Sequence, residues 1–302
     1  MEKNKIIECV PNFSEGRKPE VISAIIENFK NLPDCTLLDY RSDKDHNRLV
    51  VSLLGKPEPV CEALLKAAKT AVKLIDMGMH EGAHPRIGAI DVIPFVPVFN
   101  IDMNECVKIA HNFGRLFNKE TKIPVFFYEK AALKPERKRL EVIRKGQYEV
   151  LKKEIVNPEK HPDIGEPKMH PTAGATIIGA RNFLIAFNVN LGTSDVTVAQ
   201  KIAEAVRASS GGYMFVKGIG LALEQKNITQ VSMNVVDYEK NSLYRVLETI
   251  RMEAKRWGVP ILEAEVYGMV PAKALLDSAA YYMQLTNFNP NQVVELAMLN
   301  SI

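Results

Sequence analysis

Two imidazoles, a carboxylate and a guanidinium crowd one short stretch of this chain, His80-Glu81-Gly82-Ala83-His84-Pro85-Arg86. The spacing His-Glu-x-x-His is that of metal-dependent proteases, where a helix presents both imidazoles to zinc and the Glu serves as base. That chemistry needs a helix. Here Gly78 and Gly82 interrupt the run and Pro85 follows the second histidine, pushing His84 towards extended or turn conformation. The stretch therefore reads as a loop, and no metal site is expected. A loop histidine beside Arg86 suits proton transfer near neutral pH, because the imidazole reference pKa is about 6.5. A lone histidine more often only fixes its loop. The company of His80, Glu81, Arg86 and Asp91 brings the acid/base reading of His84 level with that bland one.

Other segments offer binding groups. Cys9-Val10-Pro11-Asn12-Phe13-Ser14-Glu15-Gly16 ends an apolar strand just ahead of a helix, where backbone N–H groups can receive a carboxylate or simply be capped by Asn12 or Ser14. Asn47-Arg48 opens the next strand, and the Arg48 guanidinium is suited to grip a carboxylate or to pair with Asp39 or Asp45. Gly165-Glu166-Pro167-Lys168-Met169-His170-Pro171-Thr172-Ala173-Gly174 is a Gly-bounded loop with a Lys and a His. It reads as a surface linker or a ligand-binding loop. Basic residues from Lys130 to Lys160 form a solvated face or attract an anionic substrate tail.

The elements that must position these groups recur in one order. A strand at 6–12, a helix at 18–31, strands at 36–39 and 48–54, a helix at 57–75 and a strand at 89–97 give βαββαβ. Residues 183–190, 196–208, 214–223, 228–236, 240–257 and 261–267 repeat it. Each copy predicts a ferredoxin-like unit with two helices on one face of an antiparallel sheet. The fold class is α+β, with subdomains 1–178 and 179–302. The first copy is extended by a helix at 102–119, a strand at 123–128, a basic helical region at 134–154 and a loop-like stretch at 155–174. Short helices at 271–285 and 290–300 close the chain.

Composition narrows the class. The 302 residues are 46% hydrophobic and 25% charged, with net charge +3, which gives no footprint for nucleic acid. No apolar run is long enough to span a membrane, and the N-terminal apolar run is too short for a signal peptide. A cytoplasmic protein is expected. Cys9, Cys35, Cys61 and Cys106 lie apart within apolar segments and read as buried thiols.

Taken together, the blocks Glu8–Gly16, Asn47-Arg48, Leu74–Met77, His84–Val92, Gly174–Thr176, Gly179–Arg181 with Phe183–Asn190, Lys217–Gly220, Gln230–Asn234 and Gly268–Asp277 resemble the glutamate formiminotransferases. The resemblance implies transfer of a formimino group from formiminoglutamate to N5 of tetrahydrofolate, a co-substrate, without metal. It implies two tandem ferredoxin-like subdomains, usually in a homodimer. His84 matches the family's acid/base histidine. The 165–174 loop matches its folate-contacting loop through its ends, and Asn12, Arg48 and Arg86 join it as expected substrate or folate contacts. Where vertebrate members carry an acidic residue two positions after the one matching Asp39, this chain has Arg41, leaving Asp39, Asp43 and Asp45 as candidates to orient His84. Vertebrate members also carry a cyclodeaminase domain, here expected on a separate protein. The rival readings are a formylglutamate or 5-formyltetrahydrofolate enzyme and a non-catalytic folate-binding protein.

Overall fold

The computed structural model describes residues 4–301, and the chain forms two compact units that part between Arg181 and Asn182. The first begins with β1 (Ile6–Cys9) and β2 (Asn12–Phe13), separated at Pro11, which has no N–H to give a ladder. It continues through α1 (Pro19–Glu27), β3 (Cys35–Asp43), β4 (Arg48–Gly55), α2 (Pro57–Leu74) and β5 (Ile90–Phe99). Both helices start on proline, whose fixed φ suits the first turn. They bury Val21, Ile22, Ile25 and Ile26, and Val60, Leu64, Ala67, Ala68 and Ala71, at the spacing that makes one apolar stripe. The strands pair antiparallel in the order β3, β4, β1/β2, β5, the ferredoxin-like arrangement expected from the repeat.

An extension completes this sheet. After α3 (Met103–Thr121) and β6 (Val125–Glu129) come α4 (Leu140–Ile143), α5 (Gln147–Glu154) and β7 (Thr176–Ala180). β7 inserts between β5 and β6, parallel to both, so the seven-stranded sheet is mixed beyond its antiparallel core. Every residue of β7 is buried. A strand covered on both faces carries no polar alternation, so it is not legible in sequence, and it runs through position 178. The region 134–154 is not one helix. Pro135 opens a single 3-10 turn, and Gly146 at φ +82° separates α4 from α5.

The second unit holds β8 (Ile185–Leu191), α6 (Val196–Val206), β9 (Val216–Leu223), β10 (Ile228–Val235), α7 (Leu243–Arg256) and β11 (Ile261–Tyr267). α8 (Ala272–Tyr282) and α9 (Val294–Ser301) follow. Its antiparallel sheet runs β11, β8, β10, β9. Phe187, Val189, Val231 and Met233 pack with Val198, Ile202, Val246 and Ile250 in its core. Among the described residues no helix is long and apolar enough to cross a membrane.

Candidate functional site

The segment from Ile75 to Ala89 leaves α2 as an irregular loop, with no helix at 80–84. His80 could not join His84 on a metal in this arrangement. Its Nδ1 accepts from Arg86 Nε at 3.1 Å and its Nε2 meets the Asn47 carbonyl at 3.1 Å. This fixes the tautomer with the proton on Nε2. Burial lowers its pKa and keeps it neutral.

Long-range bonds hold the loop. Asn47, buried between β3 and β4, accepts from Gly16 N at 2.8 Å and donates to the Glu81 carbonyl at 2.8 Å. It thus joins the turn before α1, the β3–β4 turn and the His84 loop. Ser14 Oγ donates to the Gly88 carbonyl at 2.7 Å. Glu15, and neither Asn12 nor Ser14, accepts from Arg17 N and Lys18 N at the start of α1, so that helix end already has its anion. Asn12 turns its amide back onto the Val10 carbonyl at 3.0 Å.

Arg86 is the most heavily bonded group in the loop. It is 6% exposed. Its Nε donates to His80 Nδ1, its Nη1 to Gln147 and Glu149, and its Nη2 to the His80 carbonyl and Glu149, at 2.7–3.1 Å. A guanidinium has five N–H groups, and all five are spent on the protein. This favours a positioning role over the substrate contact expected from sequence.

The 165–174 segment closes against the same loop. Ala89 N donates to Ala173 O at 2.8 Å, Ala175 N to Ile87 O at 3.0 Å and Met77 N to Thr172 O at 2.7 Å. Gly88 lies so close to the Ala175 carbonyl that a Cβ there would collide with it. Within the segment, His170 Nδ1 accepts from Ala173 N at 3.0 Å. Gly165, Glu166, Pro167, Lys168 and Pro171 are exposed and His170 and Thr172 half-buried. Met169, Ala173 and Gly174 are buried, which leaves ligand contact to the tip.

His84 itself makes no hydrogen bond to any described residue. Its ring stands edge-on to His46, centroids 6.4 Å apart. Burial, reinforced by Arg48, Arg144, His46 and Arg86, lowers its pKa to about 3, so it is an uncharged base at neutral pH. Asp39 pairs with Arg41 at 2.9 Å, Asp43 with His46 at 3.0 Å, and the Asp45 carbonyl accepts from Ala83 N. None of the three touches His84.

Around this imidazole cations outnumber their partners. The Arg48 side chain, mostly buried, makes no hydrogen bond or ion pair with any described residue, and burial and Arg144 both lower its pKa. Arg144, which the sequence left in a solvated basic face, instead pairs with buried Asp91. Its Nε is buried without a partner. Asp91 Oδ1 accepts from Ile87 N at 2.8 Å, tying Arg144 to the loop. Buried polar groups without partners are rare in native proteins and ask for an explanation. Two guanidinium groups short of acceptors beside a neutral imidazole fit a carboxylate-bearing ligand.

A neutral base on a loop clamped to a ferredoxin-like unit, with two guanidinium groups short of acceptors beside it from β4 and the end of α4, is an arrangement suited to group transfer on anionic small molecules. The chain belongs to the formiminotransferase family. Residues 6–181 match its description "Formiminotransferase domain, N-terminal subdomain" and residues 186–300 match "Formiminotransferase domain". It is 48% identical to the glutamate formimidoyltransferase of Streptococcus pyogenes over 98% of this chain and 99% of that one. Identity is 43% to that of Thermoplasma acidophilum, over 97% of each. The formimidoyltransferase-cyclodeaminase of Gallus gallus is 45% identical over 93% of this chain, which spans 53% of that protein.

Proposed function

We propose that this chain transfers the formimino group of N-formimino-L-glutamate to N5 of tetrahydrofolate, giving 5-formiminotetrahydrofolate and glutamate. The observation that carries the reading is His84, uncharged and free of hydrogen bonds beside the unpartnered Arg48 guanidinium. The full-length likeness to glutamate formimidoyltransferases supports it.

His84 takes the proton shed as N5 bonds to the amidine carbon and returns it to the departing glutamate nitrogen. Proton transfer of this kind typically contributes about 10²–10⁴-fold. Arg48 and Arg144 hold substrate carboxylates. Those carboxylates offset the positive field on His84, so the imidazole becomes more basic when the substrate is in place. The exposed tip Gly165–Lys168, with Pro171 and His170, contacts the folate, and Asn12 lines the floor. Arg86 acts by fixing the loop. A cytoplasmic homodimer belongs to the same reading, with cyclisation of the product left to a separate cyclodeaminase.

The test is turnover of formiminoglutamate with tetrahydrofolate, with formylglutamate as parallel donor. Turnover of the formimino donor alone is expected. Turnover of the formyl donor alone would move the activity to a formyl-processing reaction on the same groups, and binding of folate with neither reaction would leave a binding protein.

A further inference from the structure

His46 occupies the end of the β3–β4 turn and is doubly held by one carboxylate. Its N–H donates to Asp43 Oδ1 at 2.8 Å and its Nδ1 lies 3.0 Å from Asp43 Oδ2. With Nδ1–H pointed at the carboxylate, Nε2 carries the free lone pair. Burial alone would raise the Asp43 pKa, but hydrogen bonds and charge from His46, with the Asp45 backbone, lower it. Asp43 is therefore ionised at neutral pH. The same His46 ring faces His84 edge-on with centroids 6.4 Å apart; no direct hydrogen bond joins the two rings, so a proton passing between them requires a bridging water.

The two imidazoles have opposite surroundings. His84 is flanked by Arg48, Arg144 and Arg86, so a proton arriving there is poorly held. His46 has a carboxylate behind it. We propose that His46, backed by Asp43, is a proton-relay residue that acts through His84.

The step rests on the formimino-transfer reading and balances within the site. N5 loses its proton to His84 as the new C–N bond forms. His84 protonates the bridging water, which passes a proton to His46 Nε2, giving an imidazolium beside the Asp43 carboxylate. On collapse the bond to glutamate breaks, its electron pair goes to the glutamate nitrogen, and the proton returns by the same route to that nitrogen. No proton is consumed or released overall.

The charged and titratable groups around His46 come from three elements. Its own hairpin supplies Asp43, Lys44, Asp45 and Arg48, and the facing loop supplies His80, Glu81 and His84. The turn before α1 supplies Glu15 and Arg17, whose Nε donates to the Lys44 carbonyl. Among the described residues only Asp43 bonds the His46 ring.

The experiment is the pH profile of kcat for wild type, His46→Gln and Asp43→Asn, with the thermal midpoint of each measured alongside. Wild-type kcat should show an acid-side limb. His46→Gln should lose about tenfold or more in kcat, keep both KM values within about twofold, and lack that limb. Asp43→Asn should move the limb to lower pH, since the imidazolium loses its counter-charge, and added imidazole should restore kcat to His46→Gly. Wild-type kcat and an unaltered acid limb in His46→Gln would overturn the relay while leaving the transferase reading intact. A rise in KM alone would make His46 a substrate contact and also overturn it. An inactive wild type would overturn both.

Discussion

Replacing Arg86 by Met removes a buried cation and leaves its stem. Five hydrogen bonds go with it, to His80 Nδ1, the His80 carbonyl, Gln147 and both oxygens of Glu149. Removing one partner of a fully buried pair costs about 3–5 kcal/mol. The Glu149 side chain is 59% exposed, so water takes over part of its loss and that share is discounted. His80 is only half-buried, so its carbonyl and ring nitrogen fall in the lower part of the usual cost for a stranded acceptor, about 1–2 kcal/mol each. The sum is about 2–4 kcal/mol. For a unit of this size each kcal/mol shifts the midpoint by about 2–4 °C, so a fall of roughly 5–15 °C is expected by calorimetry. kcat should fall as well, because a displacement of about 1 Å at a reacting group costs on the order of 10²-fold, whereas KM should change little. An unchanged midpoint with a large rise in the KM for the glutamyl donor would refute the argument and make Arg86 a substrate ligand.

His84→Gln should retain the fold and folate binding and lose about 10²–10⁴-fold in kcat, read by steady-state kinetics against binding calorimetry; unchanged kcat would remove His84 from the chemistry. Arg48→Met should leave the free protein as stable as wild type or more so, because the lost charge is mostly buried, unpaired and next to Arg144, yet raise the KM for the glutamyl donor about tenfold or more; thermal melts and kinetics together decide it. The His84 pKa is about 3 folded against an ordinary 6.5. The unfolded chain therefore binds the extra proton between those values, and stability should fall as pH drops through that window. Urea midpoints from pH 7 to 4 should show a shallower fall in His84→Gln, and equal slopes would mean the imidazole is not depressed. Formiminoglutamate should raise the wild-type midpoint with concentration, as binding to the folded state requires, and raise that of Arg48→Met much less.

The repeat of βαββαβ was legible because apolar periodicity switches between two residues in strands and three to four in helices. Helix starts at Pro19 and Pro57 were equally plain. β7 was not, since five residues buried on both faces show no periodicity. In the site, His84 stood out by its neighbours in sequence, but what holds its loop did not. Asn47 bonds to residues more than thirty positions away on either side, a relation that no local pattern encodes. Arg144 looked like any cation of a basic stretch, since an inward arginine and an outward one are the same letter; only the break at Gly146 and the carboxylate of Asp91 separate them. His46 carries no motif of its own, because its importance lies in facing His84 across space.

The clamp between Gly88 and Gly174 also sets an order of assembly. The ribosome makes residue 174 long after residue 88, and at about 5–20 residues per second that interval lasts several seconds. Until β7 emerges, β5 has an unpaired edge where its parallel neighbour belongs, the kind of edge that recruits other strands. The nascent chain thus carries His84 well before anything closes over it, and a ribosome stalled before residue 170 displays the imidazole on an unfinished sheet. Slower translation across residues 90–175 is therefore expected to lower the yield of folded protein without changing the stability of the finished fold.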